Sequence, residues 1–193
     1  MKKEQHDLMK RIRNGDKDAF GLLVVDLLPS AYKTAYLILR SKEHAEDALQ
    51  NVLEGAYLSI MKNKEMTNFK AWFFRLVYSR SIDVYRKNNR HVEMDIVDNT
   101  EVNRMMKTES VQNVVIRNEN KSEMIALIMT LKKEQSVPIF LHYYEELTVK
   151  EISLVLHENI NTVKTRLTRG RKKLAQLLNE KKEFSEEAKA NGL

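Results

Sequence analysis

The chain contains no cysteine, so disulfides and thiolate metal sites are excluded and the fold rests on burial and hydrogen bonding. Glycine (5) and proline (2) are scarce among 193 residues, which argues against a hairpin-rich sheet and for helices joined by short loops. No apolar run approaches the roughly 20 residues that span a bilayer. The N-terminus, MKKEQHDLMKRIRNGD, is basic but lacks the apolar core of a secretory signal. A soluble, cytoplasmic chain without membrane insertion is expected. Chemistry is thin as well. The five histidines have no metal-ligand spacing with acids, no glycine-rich phosphate loop occurs, and no nucleophile–base pair stands out. No catalytic site, metal or cofactor is expected.

What is present is charge and helical periodicity. The net charge of +6 points to an anionic partner, and its distribution matters more than its sum. Residues 5–13 read as a short polar helix that Gly15 can end in a left-handed turn. Asp16 caps a helix with Ala19, Leu22, Leu23 and Leu27 inward, and Pro29 opens the next, which holds Tyr32, Ala35, Tyr36 and Leu39. Ser41 caps a long helix to about Met61, whose Ala45, Ala48, Leu49, Val52, Leu53, Ala56 and Tyr57 repeat at helical spacing. A polar loop, residues 62–67, precedes another helix at 68–89. From Val92 to Glu101 there are four acidic residues and no basic one. The predicted architecture is all-α: a helical domain over 1–91, a flexible acidic linker over 92–117, a four-helix helix-turn-helix domain over 118–181, and a frayed tail over 182–193.

The sharpest signal is C-terminal. Thr148-Val149-Lys150-Glu151 is a capping box, opening a short helix with Ile152, Val155 and Leu156 inward. A break at His157–Asn159 leads to a second helix from Ile160 to about Leu178, the spacing of a helix-turn-helix. Val163, Leu167, Leu174 and Leu178 form its apolar stripe. Lys164, Arg166, Arg169, Arg171, Lys172 and Lys173 are basic, and no acid lies between Asn161 and Asn179. Like charges so close repel unless an anion neutralises them, and DNA phosphates supply that anion. Asn161, Thr162, Lys164, Thr165 and Arg166, at the helix start, are placed to reach base edges.

A second signal interleaves aromatic and basic residues along 68–90, as Phe69, Trp72, Phe73, Phe74 and Tyr78 alternate with Arg75, Arg80, Arg86 and Lys87. Unpaired bases stack on aromatic faces while cations track the phosphates. The same spacing also lets Trp72, Phe73 and Leu76 face a core.

With these strings in place, residues 8–178 resemble the extracytoplasmic-function (ECF, group IV) sigma factors of bacterial RNA polymerase. Glu46-Asp47-Ala48-Leu49-Gln50 is similar to the family's EDAxQ helix. Thr162-Val163-Lys164-Thr165-Arg166-Leu167 with Arg169, Arg171, Lys172 and Lys173 resembles its recognition helix. The resemblance implies an alternative sigma factor that directs core polymerase to promoters and starts transcription. It assigns docking on the clamp coiled coil of the polymerase's largest subunit to Glu46, Asp47, Gln50, Asn51 and Glu54. Downstream-element binding and melting fall to Asn68, Phe69, Trp72, Arg75, Arg80, Asp83, Arg86 and Lys87, with the 62–68 loop as the rim of a base pocket. Upstream-element binding falls to Asn161, Thr162, Lys164, Thr165, Arg166, Arg169, Arg171, Lys172 and Lys173. The implied partners are polymerase core, promoter DNA and an anti-sigma factor, and the linker would lie in the polymerase's active-site channel.

Three departures stand against the family pattern. His157 and Glu158 occupy the turn where a glycine and an aliphatic residue are usual, so a left-handed residue is required there. Pro138 falls inside a helix expected over 133–144. Gly170 replaces an alanine and lowers helix propensity by up to about 1 kcal/mol. The competing reading is a two-domain regulator that binds duplex DNA by the helix-turn-helix without polymerase.

Overall fold

A computed structural model describes residues 2–63, 66, 68–89 and 115–190, with side chains over 4–63, 66, 68–88 and 123–181. Residues 92–114 of the expected linker, and 64, 65 and 67 of the expected pocket rim, lie outside the described residues. Among the described residues the fold is all-α, as the glycine and proline scarcity predicts. The chain divides into two compact units. The first comprises residues 1–94 with 147–158, the second 95–146 with 159–193.

In the first unit, α1 (Lys2–Arg13) ends at Gly15, whose φ of +93° is the left-handed turn expected there. Asp16 accepts hydrogen bonds from Arg11 Nε (2.9 Å) and the Ala19 amide (3.1 Å), starting α2 (Asp18–Val24). The guanidinium first, and then the amide, hold its carboxyl below the ordinary carboxylate range. A 3-10 turn, Val25–Leu27, leads to α3 (Leu28–Leu39), with Pro29 in its first turn.

This segment corrects two expectations. Asp18–Leu39 has the length and mean hydropathy (1.5) of a membrane span, although no such run was expected. The 3-10 turn splits it, and Ala19, Leu23, Ala31, Ala35, Leu37 and Ile38 are buried in the core of the unit. Leu22, expected inward, is 59% exposed. The inward stripe of this seven-residue helix is Ala19 and Leu23, one turn apart, and Leu22 stands about 100° away from Leu23.

The Ser41 hydroxyl accepts from the His44 amide and caps α4 (Lys42–Met61), which buries Ala45, Ala48, Val52, Ala56 and Ile60. Arg13 of α1 donates to the Ile60 carbonyl at 3.2 Å, placing a cation on the negative end of α4. Asn68 Oδ1 accepts the Ala71 amide and starts α5 (Phe69–Asn89). Helices α3, α4 and α5 pack on one another around Phe73, Phe74 and Val77. Also in this unit, α8 (Val149–Leu156) packs on α5 with Ile152, Val155 and Leu156 buried.

The second unit consists of α6 (Val115–Thr130), α7 (Lys133–Tyr143) and α9 (Ile160–Ala190). Pro138 lies inside α7 and is buried. Its missing N–H faces the carbonyl of Glu134 in the first turn, so one bond is lost and the helix continues. Helix α9 runs to Ala190, well beyond the expected end near Leu178, and Lys181 pairs with Glu123 of α6 at 3.2 Å.

Gly170 has a role that its low propensity conceals. A Cβ there would lie 2.9 Å from Ile139 Cγ1 and 3.3 Å from its Cδ1, and Ile139 is itself buried. The glycine is what lets α9 and α7 approach. Gly170→Ala should therefore destabilise the protein by about 1–2 kcal/mol despite its better helix propensity. Urea denaturation measures this, and a raised midpoint would show that α7 yields without strain.

Candidate nucleic-acid interface

Helix α9 begins where Asn159 Oδ1 accepts the Asn161 amide (2.8 Å), the cap expected from the sequence. Val163, Leu167 and Leu174 are buried, while Leu178 is 40% exposed and stands outside the core stripe assigned to it. Of the nine residues assigned to the upstream element, eight are exposed and Arg166 is half-buried. They do not form one face. At about 100° per residue, Asn161, Thr162, Thr165, Arg166, Arg169, Lys172 and Lys173 share an arc of about 140°. Lys164 and Arg171, two turns apart, lie on the opposite flank of the apolar stripe. The first set can face a groove together, and the flanking pair is placed for phosphates on one side of it.

The residues assigned to the downstream element also separate. Phe69 is 2% exposed, with its ring 5.8 Å from those of Trp72 and Phe73. It is a core residue, and its expected place on the binding surface is corrected. Asn68, Trp72 and Arg75 follow i, i+4, i+7 on α5, with Arg86 five turns from Asn68 on the same meridian. Arg80, Asp83 and Lys87 form a second stripe turned toward α4. There they line an open cleft of about 420 Å³ with Asn51, Glu54, Gly55, Leu58 and Val84. Arg80 and Asp83 are 4.0 Å apart across one turn, an exposed pair of small energetic weight.

All five residues assigned to polymerase docking, Glu46, Asp47, Gln50, Asn51 and Glu54, are exposed on α4. Asn51 Nδ2 donates to the Asp47 carbonyl at 2.8 Å, which fixes its amide along the helix. The result is an acidic outer face opposite the buried alanine stripe, suited to a basic surface. Asn51 and Glu54 border the same cleft as Arg80, Asp83 and Lys87, so two sets that are separate in sequence meet at one edge.

The contacts that sequence reasoning missed involve α8. Its capping box is formed as expected. The Thr148 hydroxyl accepts the Glu151 amide, and Glu151 Oε2 accepts the Thr148 amide (2.8 Å) and hydroxyl (2.7 Å). Glu151 Oε1 also accepts Asn68 Nδ2 at 2.5 Å. The Thr148 amide and hydroxyl, then Asn68 and the charge of Lys70, hold the Glu151 carboxyl below its ordinary range. At the other end of α8, His157 is left-handed (φ 54°, ψ 43°), as the turn requires, and its Nε2 accepts Arg75 Nε at 3.1 Å. These partners are 83 and 82 residues apart, and no local pattern announces such a pairing.

Comparison with known proteins accords with this geometry. Residues 23–91 match the family model for sigma-70 region 2, and residues 121–174 match that for sigma-70 region 4. The ECF RNA polymerase sigma factor SigW of Bacillus subtilis is 30% identical over 176 residues, covering 88% of this chain and 94% of that protein. Two solved structures share the fold, each with a TM-score of 0.61. One is CnrH in complex with the cytosolic domain of CnrY (19% identity, covering 92% of this chain and 98% of that one). The other is the sigma factor RpoE in complex with the anti-sigma factor NepR from Bartonella quintana (21% identity, 83% and 96%). An acidic helix, an aromatic–basic helix and a cationic capped helix in this chain order, with 30% identity to SigW over 88% of the chain and both family models matched, place the chain in the ECF family of RNA polymerase sigma factors, the alternative subunits that direct polymerase to promoters to start transcription.

Proposed function

We propose how this sigma factor divides promoter recognition among its helices. Helix α9 holds the upstream element as duplex, with Asn161, Thr162, Thr165 and Arg166 at base edges and Arg169, Lys172 and Lys173 following the strand. Lys164 and Arg171 take phosphates on the flank. Helix α5 takes the opened downstream strand along Asn68, Trp72, Arg75 and Arg86, with Arg80, Asp83 and Lys87 beside the docking helix. Helix α4 docks on a basic polymerase surface, the clamp coiled coil, through Glu46, Asp47, Gln50, Asn51 and Glu54. Residues 1–91 and 118–181 act as the two functional domains, and residues 92–117 thread the polymerase channel. The contribution is recognition rather than catalysis, and the cytoplasm is where it acts. An anti-sigma factor is proposed as a further partner, because the two solved structures named above are complexes with another protein, in one case a named anti-sigma factor.

The observation that carries this reading is the acid-free cationic arc of α9 on a capped helix. Transcription in vitro with bacterial core polymerase tests it. Start-site-specific transcripts are expected, and their absence would favour a regulator that binds duplex by itself. Arg166→Ala should weaken promoter binding by roughly 1–3 kcal/mol and relax sequence preference at one position. Equal weakening on every sequence would make Arg166 a phosphate contact instead.

A further inference from the structure

We infer that α8 is a latch: seated on α5 it occupies Asn68 and Arg75, and the free protein must release it before α5 can take single-stranded DNA. The inference rests on the assignment of Asn68 and Arg75 to the opened strand.

Four observations meet at this contact. Helix α8 belongs to the first compact unit, with α5, although the chain enters and leaves it from residues of the second. Its apolar face, Ile152, Val155 and Leu156, is buried in this arrangement. Its two ends then hold two polar side chains of one α5 stripe. Glu151, at the start of α8, accepts from the Asn68 amide, and His157, at its end, accepts from Arg75. Asn68 and Arg75 are seven residues apart, two helical turns, which matches the length of the short helix lying against them.

The two bonds compete with a strand by direction rather than by exhausting the donors, since each aims one side chain of the stripe at α8. Arg75 Nε is directed at an imidazole nitrogen, and the Asn68 amide at a carboxylate. A carboxylate near a strand-binding face also repels phosphate, and Glu151 is ionised more readily than an ordinary glutamate because its cap and Lys70 favour the charge. While α8 stays, an acid therefore sits where the strand's backbone would run. Trp72 lies between Asn68 and Arg75 on the same stripe and is the only tryptophan of the chain. It reports the state of the latch without any label.

Two substitutions weaken the latch from the α8 side and leave the proposed strand contacts intact. Glycine is the preferred residue at the left-handed position of His157, so His157→Gly removes Arg75's acceptor while relieving the backbone. Glu151→Gln keeps a capping-box residue but removes the charge. In the full-length double variant, Trp72 emission should shift to the red and its quenching by acrylamide should rise. Affinity for a fluorescein-labelled oligothymidine strand should increase roughly tenfold, from the loss of Arg75's acceptor and of the carboxylate charge that strengthens the bond to Asn68 and repels the strand. Far-UV circular dichroism checks that helix content is retained. If the double variant loses helix, His157→Gly alone carries the test, since its backbone is favoured.

Unchanged Trp72 emission and quenching overturns the latch, whatever the strand does, and leaves the strand assignment standing. An exposed Trp72 without tighter strand binding overturns it differently: α8 leaves, but the uncovered face takes no strand, and the assignment of Asn68 and Arg75 falls with the inhibitory role.

Discussion

Asp47→Lys is expected to weaken binding to core polymerase roughly 10- to 100-fold, about 1.4–2.8 kcal/mol, while leaving the fold intact. Asp47 is exposed on α4, and among the described residues its side chain holds no hydrogen bond or ion pair; the Asn51 amide bonds to its backbone carbonyl. The substitution therefore changes the outer charge of the helix and little else. Removing an attractive charge would give a small loss, because exposed pairs are worth under about 1 kcal/mol. Reversal adds repulsion against a basic partner surface, and that second contribution makes the effect large. Glu46 and Glu54 stay in place and limit it. Surface-bound core polymerase titrated with wild type and variant measures the change. Raising the salt should shrink the difference between them, since exposed charges are screened within about 10 Å at 0.1 M. Unchanged affinity at low salt would remove Asp47 from the interface.

Phe73→Ala is expected to destabilise the protein by about 3–5 kcal/mol, a large part of the roughly 5–15 kcal/mol that holds a domain together. Phe73 is fully buried in α5, with its ring 5.8 Å from Phe69 and 6.3 Å from Phe74. Alanine would leave a cavity that three packed helices cannot close without moving. Trp72→Ala is the contrast. Trp72 is only half-buried on the stripe assigned to the strand, so it should cost less stability and more promoter opening. Urea denaturation reads the first effect, and permanganate reactivity of opened thymines reads the second. If Phe73→Ala unfolds at the wild-type midpoint, the aromatic cluster is not the core it is described as.

These aromatics show where sequence reasoning runs out. The 68–90 run has a composition suited to single-stranded DNA and a spacing suited to a core, and both are true of different residues in it. Phe69, Phe73 and Phe74 went inside because α3 and α4 press on that side of α5. The neighbours' identity decides that sorting, and the neighbours lie elsewhere in the chain. Gly170 teaches the same lesson in reverse. Propensity marks it as a weakness of the recognition helix, whereas Ile139, 31 residues earlier, makes it a requirement.

Local physical chemistry was written in the order of residues. The caps at Asp16, Ser41, Thr148 and Asn159, the left-handed turns at Gly15 and His157, and the apolar stripes of α4, α8 and α9 each depend on residues within one or two turns. So did the cationic run of α9, from which the DNA-binding function is legible. Tertiary structure alone decided which aromatics are core and that Glu151 and His157 close on Asn68 and Arg75. The second outcome needs side chains more than 80 residues apart to meet, and nothing in a helical period of 3.6 residues encodes such a meeting.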